Sequence, residues 1–204
     1  MVVGIPKEIV TGEKRVSVVP GIISRLKGIS VVMERGAGEA AGFPDTAYVE
    51  QGVSIVDTSA LYEQSDIILK IQTPTATEAR LFKEGTTLIS FLYPLTNLET
   101  IQILAARRVN ALAMNLIPRS SRAQSMDALS SQAIISGYKA VLLGADSLPR
   151  LFPMLMTAAG TIPPAKVFVI GAGVAGLQAI AVARRLGAMV EAYDVRPAAK
   201  EEIK

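Results

Sequence analysis

Short apolar runs alternate with amphipathic stretches along the chain, and the alternation predicts strand after helix. Met1–Ile5 reads as a first strand closed by Pro6, and Pro20–Lys27 as a helix with proline suited to its first turn. Ser30–Glu34 is a second strand, running into the loop RGAGEAAGFP. Asp45 is expected to cap a helix through Gln51, with Gly52 as its stop. Val53–Val56, Asp66–Ile71, Thr87–Leu92 and Val109–Met114 are four further strands. Helices over Ser59–Gln64, Thr77–Phe82 and Asn97–Arg107 separate them, the last capped by Asn97. Two more helical stretches follow, Met126–Leu143 and Ser147–Ala158, the second ended by Gly160 and Pro163-Pro164. In the first of these, Leu129, Ala133, Tyr138, Val141 and Leu142 recur near helical spacing and predict a helix packed between domains.

Six alternations with short connections call for a mostly parallel sheet covered by helices on both faces. The expected class is α/β. A Rossmann-like or flavodoxin-like parallel-sheet domain fills residues 1–125, and linking helices with the first half of a Rossmann dinucleotide-binding domain fill residues 126–204. That second domain holds two strands of a fold that normally uses about six. The expectation is therefore a fragment, or strands supplied by another chain, with an adhesive unpaired sheet edge.

The stretch from Val167 to Asp194, VFVIGAGVAGLQAIAVARRLGAMVEAYD, carries the clearest chemistry. Val167–Ile170, led by Lys166, predicts a parallel strand buried on both faces. Gly171, Gly173 and Gly176 follow at G-x-G-x-x-G spacing, with Val174 and Ala175 between them, and open an alanine-rich helix to Gly187. The first glycine permits a tight turn, the second lets backbone approach a pyrophosphate, and the third lets helix and strand pack closely. The helix N–H groups and dipole favour phosphate. A second strand, Met189–Tyr193, ends at Asp194, where a carboxylate accepts hydrogen bonds from an adenosine ribose and repels a 2′-phosphate. This favours NAD(H). Arg196, just past the acid, reads as a neighbour of the adenosine or a solvated charge.

Composition narrows the chemistry further. Half the residues are hydrophobic, enough for a sizeable core, and the net charge of +3 is mild. Basic residues are scattered without aromatic interleaving, which argues against nucleic acid. The chain has no Cys, so disulfides and thiolate chemistry are absent, and no His, so the commonest general base and metal ligand is missing. No metal site is expected. Val167–Ala183 is uncharged but short for a membrane span, and the start lacks the pattern of a signal peptide, so a soluble chain is expected.

Two polar stretches remain. Asn115–Gln132, NLIPRSSRAQSMDALSSQ, places arginines, amides, serines and an aspartate between an apolar strand and an apolar helix. Such a loop either meets the reactive end of a bound dinucleotide or is a solvated N-cap built on Ser121 or Ser125. The other stretch pairs Lys14-Arg15 with Lys70, a lysine inside an apolar strand that needs a partner or a water-filled cleft.

GIPKE at Gly4–Glu8, PRSSRAQSMDALSSQA and TAAGTIPPAKVFVIGAGVAGLQAIA together resemble the NAD(H)-binding component, or alpha subunit, of proton-translocating nicotinamide nucleotide transhydrogenases. The likeness runs from Gly4 to the end of the chain. The resemblance implies a peripheral component that binds NADH and presents its nicotinamide to NADP(H) on a partner component. Hydride passes directly between the rings, coupled to proton movement through a membrane component; apposition and electrostatics suffice, without an acid or base. The family's R-x-x-x-x-Q-x-x-D pattern falls on Arg119, Gln124 and Asp127, with Ser130 one turn further along. By resemblance, Arg119 and Asp127 hold the carboxamide and ribose region, Ser130 helps place the ring, and Gln124 reaches toward the second nucleotide. NADH is implied between the two domains of a homodimer. The location implied is the cytoplasmic face of an energy-transducing membrane, or the matrix side in mitochondria. Alanine dehydrogenases are similar at GIPKE and at RV-x-x-x-P from Arg15 to Pro20, and in them Arg15 and Lys70 match substrate-handling positions. Their catalytic histidine has no counterpart in FLYPLTN here, so Arg15 and Lys70 are read as inherited or structural. A non-catalytic NAD-binding or interaction subunit is the other alternative.

Overall fold

All six strands expected in the first half form, and all run parallel. They are β1 (Val2–Ile5), β2 (Ser30–Glu34), β3 (Ser54–Val56), β4 (Ile67–Leu69), β5 (Thr87–Ser90) and β6 (Asn110–Ala113). The computed structural model describes residues 1–118 and 120–203, which divide into one unit of Met1–Met126 and a second from Asp127 onward.

In the first unit the strand order is β3-β2-β1-β4-β5-β6, so successive strands are added toward one edge up to β3 and toward the other from β4 onward. Successive residues of β2 serve opposite faces. Val31 and Met33 join a core with Ile5, Val18, Ile23 and Tyr48, whereas Val32 joins one with Leu61, Ile68, Phe82 and Leu88. A sheet buried on both faces explains why these strands read as near-continuous apolar runs. The helices between them are α1 (Pro20–Ile23), α2 (Asp45–Val49), α3 (Thr58–Gln64), α4 (Ala76–Ala79) and α5 (Leu98–Ala106).

Several local expectations are corrected here. Helix α1 stops at Ile23 rather than Lys27. Asp45 lies inside α2, whose N-cap is Pro44, and its Oδ1 accepts the Gly36 N–H at 2.9 Å, bracing the loop before it. Asn97 occupies the N-cap position of α5 but makes no capping bond; its Nδ2 donates to the carbonyls of Leu92 and Tyr93. Unanticipated caps are Asp57, which accepts the Ala60 N–H, and a reciprocal Thr75–Glu78 box that starts α4.

The second unit opens with α6 (Ala128–Ser147), one helix longer than expected. The second helix expected over Ser147–Ala158 does not form, and Ser147 is instead the last residue of α6. Pro149 cannot extend α6 and disfavours helical backbone at the residue before it, so Leu148 is extended at φ −84°, ψ 129°. The chain then forms an antiparallel hairpin of β7 (Leu155–Thr157) and β8 (Gly160–Ile162), with Gly160 at φ +134° in its turn. A parallel pair, β9 (Lys166–Ile170) and β10 (Met189–Tyr193), brackets α7 (Val174–Arg185), and α8 (Ala199–Ile203) follows.

Helix α7 packs on β9 and β10, and α6 packs on α7 around Val141, Phe152, Ala165, Val182 and Ala183. Strand β9 is half-buried on one face rather than buried on two: Phe168 is 59 % exposed and Ile170 79 % exposed. The described residues supply one helical layer for this sheet, so alternate residues of β9 lack cover. In α6 the buried line is Gly137 and Val141, whereas Tyr138, expected in the packed stripe, is 48 % exposed.

Candidate functional site

The turn from β9 into α7 brings three glycines into three different environments. Gly171 has φ +94°, a conformation that L side chains rarely adopt, and makes the tight turn possible. A Cβ at Gly176 would overlap the Gly171 carbonyl oxygen and lie 2.8 Å from its carbonyl carbon, so the helix meets the strand end backbone to backbone. At Gly173, by contrast, a Cβ would meet nothing within 4 Å. That position is open and is also the N-cap of α7, where no side chain caps the first-turn N–H groups. Val174, first in the helix, is exposed. An anion approaching Gly173 finds free space, uncapped donors and the positive end of a 12-residue helix. Arg184 and Arg185 in the last turn complement the other pole of the dipole.

Asp194 is tied directly to this turn. Its Oδ2 accepts the Ala172 N–H at 2.7 Å, which places the acid at the end of β10 beside the glycine loop at the end of β9. Oδ1 accepts the backbone N–H of Arg196 at 2.8 Å and its Nε–H at 3.1 Å. Arg196 Nη2 donates to Asp194 Oδ2 and to the Ala172 carbonyl, each at 3.2 Å. Hydrogen bonding from the Arg196 side chain, then from the Arg196 and Ala172 N–H groups, holds the Asp194 carboxyl well below the usual carboxylate range. Arg196, its side chain still exposed, is half of an ion pair.

At the start of α6, Asp127 is the N-cap. Its Oδ1 accepts the Ser130 N–H at 2.9 Å and its Oδ2 the Ser130 hydroxyl at 2.6 Å. The cap expected on Ser121 or Ser125 is thus supplied by Asp127, and Asp127 and Ser130 act as one unit. Gln124 lies in a short 3-10 turn, Gln124–Met126, and is exposed. Arg119 lies outside the described residues. Helix α6 crosses α7 closely: a Cβ at Gly137 would overlap the Ala175 carbonyl oxygen. Gly137 gave no signal in the sequence, since its role depends on a helix almost 40 positions away.

The crevice where the first sheet reverses, at the carboxyl ends of β1 and β4, is the place such sheets hold ligands. Here it is filled from within. Lys70 Nζ, fully buried, donates to Glu78 Oε1 at 2.9 Å and Glu8 Oε2 at 3.2 Å. Glu8 also accepts the N–H groups of Ile71 and Gln72, at 2.6 and 3.3 Å. Arg15 binds both carboxylate oxygens of Glu13, at 2.8 and 2.6 Å, and Gln72 Nε2 donates to Glu13 at 2.6 Å. The Arg15 guanidinium holds the Glu13 carboxyl at about 2, against an ordinary 4.5. Sequence reasoning found both cations but missed the carboxylates that pair with them. Among the described residues no acidic cluster suits a metal ion, and no helix is long and apolar enough to cross a membrane.

Two family models match the chain: the alanine dehydrogenase/PNT N-terminal domain over residues 4–136 and the alanine dehydrogenase/PNT C-terminal domain over residues 140–204. Across its whole length the chain is 48 % identical to the first part of the NAD(P) transhydrogenase subunit alpha of Rhodospirillum rubrum, covering 55 % of that protein. It is 33 % identical to alanine dehydrogenase 2 of Staphylococcus aureus, with 97 % of the chain and 54 % of that protein aligned. The crystal structure of transhydrogenase from Sinorhizobium meliloti matches all of the chain and 61 % of the solved one, at a TM-score of 0.96 and 47 % identity. The chain spans about half the length of the curated relatives it matches.

Proposed function

This chain belongs to the alanine dehydrogenase/PNT family, and from that premise we propose that it is the NAD(H)-binding part of a transhydrogenase alpha subunit. The observation that carries this is the bond between Ala172 N–H and Asp194: one contact joins an open glycine loop to the acid suited to a ribose. We assign the pyrophosphate to Gly171, Gly173, Val174, Ala175 and Gly176, and the adenosine ribose to Asp194. The domain boundary is placed near residue 125.

Bound NADH supplies a hydride from its nicotinamide ring, and the acceptor is NADP+ on a partner component, giving NAD+ and NADPH. The protein's part is placement. Asp127, held by Ser130, and Arg119 orient the carboxamide and ribose region, and Gln124 reaches toward the second nucleotide. No proton acceptor is required at the reacting carbons, which suits a chain without histidine. Amino-acid oxidation needs such an acceptor and free cations for the substrate, whereas Lys70 is held by Glu8 and Glu78. Coupling to proton movement through a membrane component, attachment to the cytoplasmic or matrix face of that membrane, and a homodimeric state complete the proposal.

The test is a Gln124→Asn variant assayed with the NADP(H)-binding component. Hydride transfer is expected to slow by about tenfold or more while calorimetric NADH affinity stays the same. Equal losses of both would remove Gln124 from its role. Absence of NADH binding by the unaltered protein would remove the function.

A further inference from the structure

The turn after β5 holds a tyrosine in a backbone conformation that its own sequence opposes. Tyr93 has φ +41°, in the left-handed region that L side chains rarely adopt. It also precedes Pro94, and a proline ring drives the residue before it toward extended backbone. The other non-glycine residue with positive φ among those described, Arg108 at +53°, has a local reason. It directly follows the C-cap of α5, where helices commonly stop on a left-handed residue. Tyr93 follows a strand instead, and its conformation is imposed by neighbours. Asn115 Oδ1 accepts the N–H groups of Leu92 at 2.8 Å and of Tyr93 at 3.2 Å. The Tyr93 carbonyl accepts the N–H groups of Thr96 and Asn97, the Thr96 hydroxyl and Asn97 Nδ2, all at 3.0 to 3.2 Å. Strain of this kind persists only where the surroundings over-determine it, and it gathers at sites that hold ligands.

The product of the strain is display. The Tyr93 side chain is exposed at the carboxyl end of a parallel strand, the end at which such sheets hold ligands. Buried Phe91 backs it, with ring centroids 6.1 Å apart and planes tilted by 33°. The hydroxyl lies within electrostatic reach of Arg15. We propose that Tyr93 is a stacking platform for a nicotinamide ring, either that of NADH or that of the NADP(H) with which it exchanges hydride. A fixed aromatic face takes a planar heteroaromatic ring by stacking, at little cost in side-chain freedom. Glycine at position 93 would relax the backbone but offer no ring, so the stability of the turn and its use by a ligand are opposed. The proposal rests on the transhydrogenase reading and adds a contact residue to it.

The experiment compares Y93F, Y93L and Y93G with the unaltered full chain. It combines calorimetric titration of NADH and of ADP-ribose, hydride transfer to NADP+ with the NADP(H)-binding component, and urea unfolding. Y93F keeps the ring and should match the unaltered protein. Y93L and Y93G should lose about 5- to 100-fold, the scale of one stacked ring. A loss in NADH affinity assigns the platform to NADH, and a loss confined to hydride transfer assigns it to the nicotinamide of NADP(H). ADP-ribose, which carries no nicotinamide, should bind all four proteins alike. Y93G should unfold at a higher urea concentration than Y93L, because both lose the ring and only glycine relaxes the backbone. Unchanged binding and transfer in Y93L, a Y93F protein that loses as much as Y93L, or an equal loss for ADP-ribose overturns the platform. So does a Y93G protein that unfolds before Y93L. Each of these leaves the transhydrogenase reading intact, whereas an unaltered protein that binds no NADH overturns both.

Discussion

Replacing Gly137 with alanine isolates how closely α6 and α7 are packed. Alanine is the better helix former by about 1 kcal/mol, so an isolated helix would gain from the change. In this fold the new Cβ overlaps the Ala175 carbonyl oxygen and lies 3.0 Å from its carbonyl carbon. Both atoms belong to the backbone of the first turn of α7, so no side-chain rotation relieves the overlap. The helices must part by roughly 1 Å to reach the contact distance of about 3.3–3.6 Å seen between carbon and carbonyl oxygen. Overpacking of this kind costs about 1–3 kcal/mol, more than the propensity gain at the upper end. Gly144 lies in the same helix with nothing within 4 Å of its absent Cβ. Gly144→Ala should therefore stabilise the second unit by about 1 kcal/mol. The two variants should differ by about 1–3 kcal/mol, although the chemical change is identical. Each kcal/mol moves the midpoint of a unit this size by about 4–8 °C. Hydrogen exchange read on α6 and α7 peptides reports this unit separately from the first. A Gly137→Ala protein as stable as Gly144→Ala would refute the packing argument. Because Ala175 sits in the proposed phosphate loop, weaker NADH binding should accompany the loss.

Other outcomes follow from the same geometry. Gly173→Ala, in open space, should leave stability within about 1 kcal/mol of the unaltered protein yet weaken NADH at least tenfold, by calorimetry. Unchanged affinity would remove the pyrophosphate from this turn. Lys70→Met leaves Glu8 and Glu78 buried without their shared cation, and urea unfolding of the first unit should show a loss of about 3–5 kcal/mol. A loss below about 1 kcal/mol would mean that the carboxylates find other partners. Glu13 has a folded pKa of about 2, below its ordinary 4.5. Its contribution is thus complete above pH 4.5 and fades as pH falls toward 2. Urea midpoints of the unaltered protein and Glu13→Gln should converge across that window, and parallel curves would contradict the ion pair with Arg15.

The order of elements was legible because each strand is a local event. Apolar runs such as Ser30–Glu34 carry their own period, and glycine or proline marks their ends. The glycine spacing and Asp194 were legible for the same reason, since turn, helix and strand lie within one short unit. Where the reading failed, a neighbour distant in sequence or a competing local rule decided. Composition favoured helix over Ser147–Ala158, but the prolines there leave a hairpin as the better pairing.

Sequence by itself therefore determined the class of fold, the six strands of the first sheet and the glycine loop with its acid, because those depend on residues a few positions apart. Tertiary structure alone decided which carboxylates reach Lys70. Glu8 reaches Lys70 across 62 positions because β1 and β4 become neighbours where the strand order reverses. It also decided that Asp194 and Arg196 both close onto Ala172, and that Gly137 must stay small against Ala175. Period and propensity describe one element at a time. Burial, pairing and close approach belong to two elements at once, and their partner is specified only by the completed topology.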